Sequence, residues 1–164
     1  MKILLLAILG SIAHTAQGQV PRPAPALRIV EASGKTTVLS SYRGSVVLLA
    51  FISTRCTHCQ NASLIFERLS HELAGLQVLE FAFNENSDAP AFAKQFGLTF
   101  PIGTGITDSA HDFLGVSRGE RIGTPQVVVI DRSGIIRAQS ERLGSPILQT
   151  ADYLRELLKA VGAR

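Results

Sequence analysis

Cys56 and Cys59 are the only cysteines in this 164-residue chain, and Thr57 and His58 separate them. The pair directly follows a strongly apolar run, Val46 to Ile52. A thiol where a strand turns into a helix meets the first free N–H groups and the positive end of the helix dipole. Both favour the thiolate, so a cysteine pKa near ~8.5 can fall by several units there. A second thiol two residues on can then close a small disulfide ring. Four-ligand zinc binding would need a further pair of Cys or His residues at close spacing. The remaining histidines, His14, His71 and His111, are scattered, so the spacing favours redox chemistry over a metal site.

The elements that must position this pair follow from hydrophobic spacing. Val46 to Ile52 is apolar without alternation, as in a strand buried on both faces. Leu64, Ile65, Leu69 and Leu73 recur at helical spacing, and Gly75 stops that helix. Val78 to Phe83 is a second strand. Asp88 opens a helix that runs through Phe96 to Gly97, Phe100 to Ile102 is short and extended, and Ser109 to Leu114 is a further helical turn. Gln126 to Ile130 and Ile135 to Ala138 flank an Asp-Arg-Ser-Gly turn as a hairpin. Ile147 to Val161 has the pattern of one long amphipathic helix. Leu27 to Val30 and Thr36 to Leu39 form an earlier hairpin. Pro21, Pro23 and Pro25 hold Val20 to Ala26 extended. Strands alternating with helices predict an α/β domain, a central sheet covered on both faces.

The length suits one well-buried core, and 46% hydrophobic against 18% charged residues excludes extensive disorder. The net charge is only +3 and no basic run exceeds four residues, so a nucleic-acid partner is not expected. Residues 1–18 have the pattern of an export signal: Lys2, an apolar stretch from Ile3 to Ile12, then small Ala16 and Gly18. About ten apolar residues fall short of the ~20 that span a bilayer, so no stable membrane span is expected after cleavage; an uncleaved N-terminal anchor is the alternative. The expected division is a signal segment at 1–18, an extended leader at 19–26 and one domain at 27–164. The mature protein is then soluble and periplasmic or otherwise extracytoplasmic. A two-residue spacing makes a poor structural staple, because disulfide stabilisation grows with loop length.

Several segments, in order, carry a resemblance across nearly the whole mature chain. Gly34-Lys35, Leu39 to Gly44 and Val46 to Phe51 lead into Cys56-Thr57-His58-Cys59; Phe96 to Pro101 follows, then Gly123-Thr124-Pro125 before Val127 to Asp131. Together they resemble the thioredoxin-fold TlpA/ResA-like thiol–disulfide oxidoreductases of the redoxin/AhpC-TSA group. The resemblance implies a thioredoxin fold with an N-terminal β-hairpin extension. It implies Cys56 as the nucleophile that attacks a substrate disulfide and Cys59 as the thiol that resolves the mixed disulfide. Thr124 and Pro125, the latter cis, would meet an extended substrate segment. No cofactor and no metal are implied. Partners would be protein disulfides or dithiols, with a separate redox protein that recycles the couple.

The chain also departs from that family. Arg55 replaces the Trp common before the first cysteine, and an adjacent cation favours the Cys56 thiolate. His58 is expected to stabilise the same thiolate and make the couple more oxidising. Ala50 stands where thioredoxins bury a carboxylate, and Ala62 where some ResA-like relatives carry Glu. Glu80, inside the run Val78 to Phe83, is expected to face solvent from an edge strand, with a role as substitute base as the alternative. Two rival functions remain. Ser53 three residues before Cys56 resembles a peroxidase motif, although Leu49 stands where that motif has Pro. Cys56 and Cys59 with a histidine could hold copper, although such relatives space the cysteines by three residues.

Overall fold

All seven side chains of Val46–Ile52, strand β4, are buried, and the rest of the molecule is arranged around them. The structure, a computed structural model, describes residues 18–164. The proposed signal lies, but for Gly18, outside the described residues. Strand β4 pairs in parallel with β5 (Leu76–Ala82) and antiparallel with β7 (Gln126–Ile130). Beyond β7 lie β8 (Ile135–Gln139) and β1 (Arg22–Pro23); beyond β5 lie β6 (Ile102–Thr104), β2 (Arg28–Glu31) and β3 (Thr36–Val38).

Alternate residues of β4 serve two cores. Val46, Leu48, Ala50 and Ile52 pack with Phe66 of helix α1 (Thr57–Glu72), Phe92 of α2 (Ala89–Phe96), and Leu154 and Leu158 of α4 (Ala151–Ala160). Val47, Leu49 and Phe51 face the other way, towards Phe113 and Leu114 of α3 (Thr107–Leu114). Phe51 holds that second core through tilted ring contacts at 5.4 Å to Phe81 and 5.2 Å to Phe113. Each such buried side chain contributes about 1.5–3 kcal/mol, and the strand they fix ends at Ile52, just before the cysteines. The fold is the expected mixed sheet flanked by helices.

Three expectations are corrected. The leader is not merely extended: Arg22 and Pro23 pair with Ile136 and Ile135 as an edge strand, and the Arg22 guanidinium donates to the Phe113 carbonyl at 2.8 Å. The C-terminal helix does not begin at Ile147; Pro146–Gln149 is a 3-10 turn and α4 starts only after Thr150. Glu80 is not on an edge and not in solvent. Strand β6 covers the outer side of β5, pairing Ile102 with Glu80, and the Glu80 side chain is fully buried.

Candidate active site

Cys56 is the N-cap of α1, with an extended backbone (φ −91°, ψ 119°), and its sulfur accepts the Cys59 N–H at 3.4 Å. A cap of this kind satisfies one of the helix's unpaired donors. The preceding loop is pinned from several sides. Cys56 N–H donates to the Ser53 carbonyl at 3.0 Å, and Thr54 N–H donates to Asn84 Oδ1 at 3.0 Å. Gln60 Nε2 donates to the Thr54 carbonyl at 3.4 Å, tying the loop to the first turn of the helix. Asn84, just beyond β5, is thus a support of the site; nothing in its local sequence marks it as one.

The other wall comes from the segment before β7. The Thr124–Pro125 bond is cis, as the resemblance implies, and the Cys56 thiol lies 3.6 Å from the Thr124 carbonyl as its donor. Gln126, fully buried, holds this segment in place. Its Nε2 lies 2.8 Å from the Gly123 carbonyl, 2.9 Å from that of Glu141 and 3.1 Å from that of Arg142. A Cβ at Gly123 would collide with the Leu143 carbonyl, so glycine lets these two segments close beside Thr124. The sequence shows Gln126 only as the first residue of an apolar strand.

The two thiols, both reduced here, stand in opposite environments. Partial burial pushes the Cys56 thiol up. The Thr124 side chain and the backbone N–H groups of Cys59 and His58 outweigh that, leaving Cys56 below its ordinary value. This is the direction expected for a nucleophile at a helix N-terminus. Cys59 has no exposed surface, and burial drives its thiol up to about 12. One sulfur is therefore partly exposed and poised to ionise, and the other is sequestered and held protonated.

His58 and Arg55 contribute differently from expectation. His58 reaches the sulfur with its backbone N–H. Its imidazole is exposed and makes no hydrogen bond among the described residues. Arg55 is also exposed and, among the described residues, forms no ion pair, while its N–H donates to Ser53 Oγ at 3.4 Å. That contact engages the Ser53 hydroxyl within its own loop. Among the described residues, no three His, Cys, Asp or Glu side chains are gathered where a metal ion could sit.

Sheet, helix-capping cysteine and cis-proline segment together define a thioredoxin-like protein with a Cys-X-X-Cys dithiol. Residues 20–139 match the AhpC/TSA family, and the chain belongs to it. It is similar to the thiol–disulfide oxidoreductase ResA of Geobacillus thermodenitrificans, 26% identical over 147 residues covering 82% of each chain. A Chlorobium tepidum crystal structure assigned as the thiol:disulfide interchange protein DsbE superposes with a TM-score of 0.69, at 25% identity over 87% of this chain and 97% of that one. The fold is shared with a peroxiredoxin-like protein of Aquifex aeolicus, TM-score 0.71, at 15% identity over 89% of each chain.

Proposed function

We propose that the chain is an exported thiol–disulfide oxidoreductase that exchanges disulfides with protein clients through Cys56 and Cys59. The observation carrying this is the contrast between the two sulfurs: a capping, partly exposed Cys56 held below its ordinary pKa, three residues from a buried Cys59 pushed up to about 12. The Cys56 thiolate attacks one sulfur of a client disulfide, forming a Cys56–client disulfide and expelling a client thiolate. Cys59 loses its proton and attacks Cys56 Sγ. The Cys56–client bond breaks, and the client leaves with both electrons of the dithiol. Run in reverse, the same steps oxidise a client dithiol. A separate redox protein of the same compartment restores the couple. Thr124 and Pro125 line the approach to Cys56 and offer backbone to an extended client segment.

Export rests on residues 1–18, which predict a mature N-terminus near Gln19. Among residues 18–164 no helix is long and apolar enough to cross a membrane. The test is a Cys59→Ser variant, which keeps the nucleophile and removes the resolving thiol. It should accumulate a client disulfide-linked to Cys56 that reductant releases. Failure of both this variant and the native protein to react with disulfides, together with consumption of peroxide, would replace this reading by the peroxidase one.

A further inference from the structure

The mechanism above leaves one buried acid unused. Glu80 lies on the α1 face of β5, between Ala50 of β4 and Ile102 of β6, with no exposed surface. Its Oε1 is 2.6 Å from Ser63 Oγ, and Ser63 Oγ is 2.9 Å from the backbone carbonyl of Cys59. The other carboxyl oxygen has no hydrogen-bond partner among the described residues.

Counting hydrogens fixes what this chain of contacts requires. The Ser63 hydroxyl has one proton, and the Cys59 carbonyl can only accept. If Ser63 donates to that carbonyl, Glu80 must donate to Ser63 Oγ, which needs a neutral carboxyl group. If Glu80 is ionised, Ser63 turns to it and the Cys59 carbonyl loses the hydroxyl. The two bonds coexist only when Glu80 carries a proton. Desolvation works the same way, raising Glu80 to about 8. The groups facing it are few. Strands β4 and β6 present Ala50 and Ile102, which carry no charge. Helix α1 presents Ser63, whose hydroxyl also reaches the Cys59 carbonyl, and, further along, Glu67, whose negative charge also pushes Glu80 up.

We propose that Glu80, held by Ser63 under the first turns of α1, is the group that takes up the proton Cys59 must lose when it resolves the mixed disulfide. This deepens the oxidoreductase reading and rests on it. In the reactive form Cys59 is still a thiol, while Glu80 has released its own proton to solvent and Ser63 has turned to the carboxylate. The proton leaves Cys59 Sγ and is taken up by the Glu80 carboxylate, and the thiolate attacks Cys56 Sγ. The Cys56–client bond breaks with its electron pair on the client sulfur. The products are the Cys56–Cys59 disulfide, a neutral Glu80 that completes the contact with Ser63, and a client thiolate. Charge thereby moves out of the buried pocket into solvent, so the low-dielectric interior favours the forward step.

A chromogenic aromatic disulfide, dithionitrobenzoate, separates the two steps because each releases one coloured thiolate. With reduced protein, the first release is concentration-dependent and reports Cys56. The second is unimolecular and reports Cys59. The second rate should rise with pH through a midpoint near 8. Glu80→Gln keeps a partner for Ser63 but cannot titrate; it should lose that inflection and slow the second release about a hundredfold, the low end for general acid–base catalysis, with the first release unchanged. Ser63→Ala, which removes a bond favouring the carboxylate, should move the midpoint upward and serves if Glu80→Gln does not fold. A Glu80→Gln profile superposing on the native one, or a midpoint unmoved in Ser63→Ala, overturns the proposal. Loss of the first release in the native protein would overturn the oxidoreductase reading instead.

Discussion

Ala50 and Glu80 stand directly opposite each other on the parallel pair β4–β5. Thioredoxins bury their carboxylate at the position Ala50 occupies. Here the acid lies one strand over, at the same level of the sheet and on the same face. A methyl group at position 50 leaves room beside the carboxyl, and Ser63 of α1 supplies its partner.

That burial makes stability depend on pH in a defined direction. Glu80 ordinarily titrates near 4.5 and is raised to about 8 in the fold. Between those values the folded chain keeps a proton that the unfolded chain has released. Its stabilising contribution is thus complete below pH 4.5, declines as pH rises, and is lost once pH passes about 8. Denaturant unfolding of native protein and Glu80→Gln at both ends of this window should show the native protein losing on the order of a few kcal/mol relative to the variant. A pH-independent difference between them would mean that the carboxyl is not raised.

The two sulfurs should differ sharply in reactivity. At pH 7 a thiol at about 12 is ionised to only ~10⁻⁵, and the Cys59 sulfur is also shielded from reagents. Iodoacetamide should therefore label Cys56 alone in the folded, reduced protein, and both residues after denaturation. Peptide mass mapping reads this directly. Equal labelling in the folded state would contradict the burial of Cys59.

Thr124 is expected to tune the nucleophile as well as line its approach. Its side chain is among the groups that hold Cys56 low. A hydrogen bond to a charged group is worth ~1.5–3 kcal/mol, and Cys56 is partly exposed, so the lower end applies. Thr124→Val should raise the Cys56 pKa, followed by ultraviolet thiolate absorbance against pH. His58→Ala should shift it less, because the backbone N–H, not the imidazole, faces the sulfur. A larger shift for His58→Ala than for Thr124→Val would reverse these roles.

How much of this was legible in the sequence depended on whether the deciding contact was local. The double burial of β4 shows as seven apolar residues without alternation, and the capping Cys56 shows as a thiol at a strand–helix junction. Glu80 could not be placed that way. Whether β5 is an edge is decided by β6, three residues long, and by the β2–β3 hairpin, whose Val30 and Glu31 pair with Thr104 and Gly103 far along the chain. Strand β1 is invisible for a similar reason, since two residues including a proline become a strand only by meeting β8. The expected helix from Ile147 failed on a local detail. The apolar spacing continues through Thr150, but the backbone there is extended (φ −104°, ψ 135°) and starts a new helix.

Gln126 offers the last test, because it acts on the site without touching either sulfur. Its amide sits between the carbonyls of Gly123, Glu141 and Arg142, in a place with no exposed surface. Gln126→Leu would keep most of the volume but leave the Gly123 carbonyl short of a donor, while those of Glu141 and Arg142 keep the backbone N–H groups of Gly144 and Gly123. Each buried polar group left unsatisfied costs about 1–3 kcal/mol. With one carbonyl left unsatisfied, a loss of about 1–3 kcal/mol in denaturant unfolding is expected. The segment carrying Thr124 should loosen with it. Since Thr124 helps to hold the Cys56 thiolate, the Cys56 pKa should rise in this variant although residues 56–59 are unchanged. Combining it with Thr124→Val should then give less than the sum of the two pKa shifts, because both act through one contact. Additive shifts would show that Gln126 supports stability alone and leaves the nucleophile untouched.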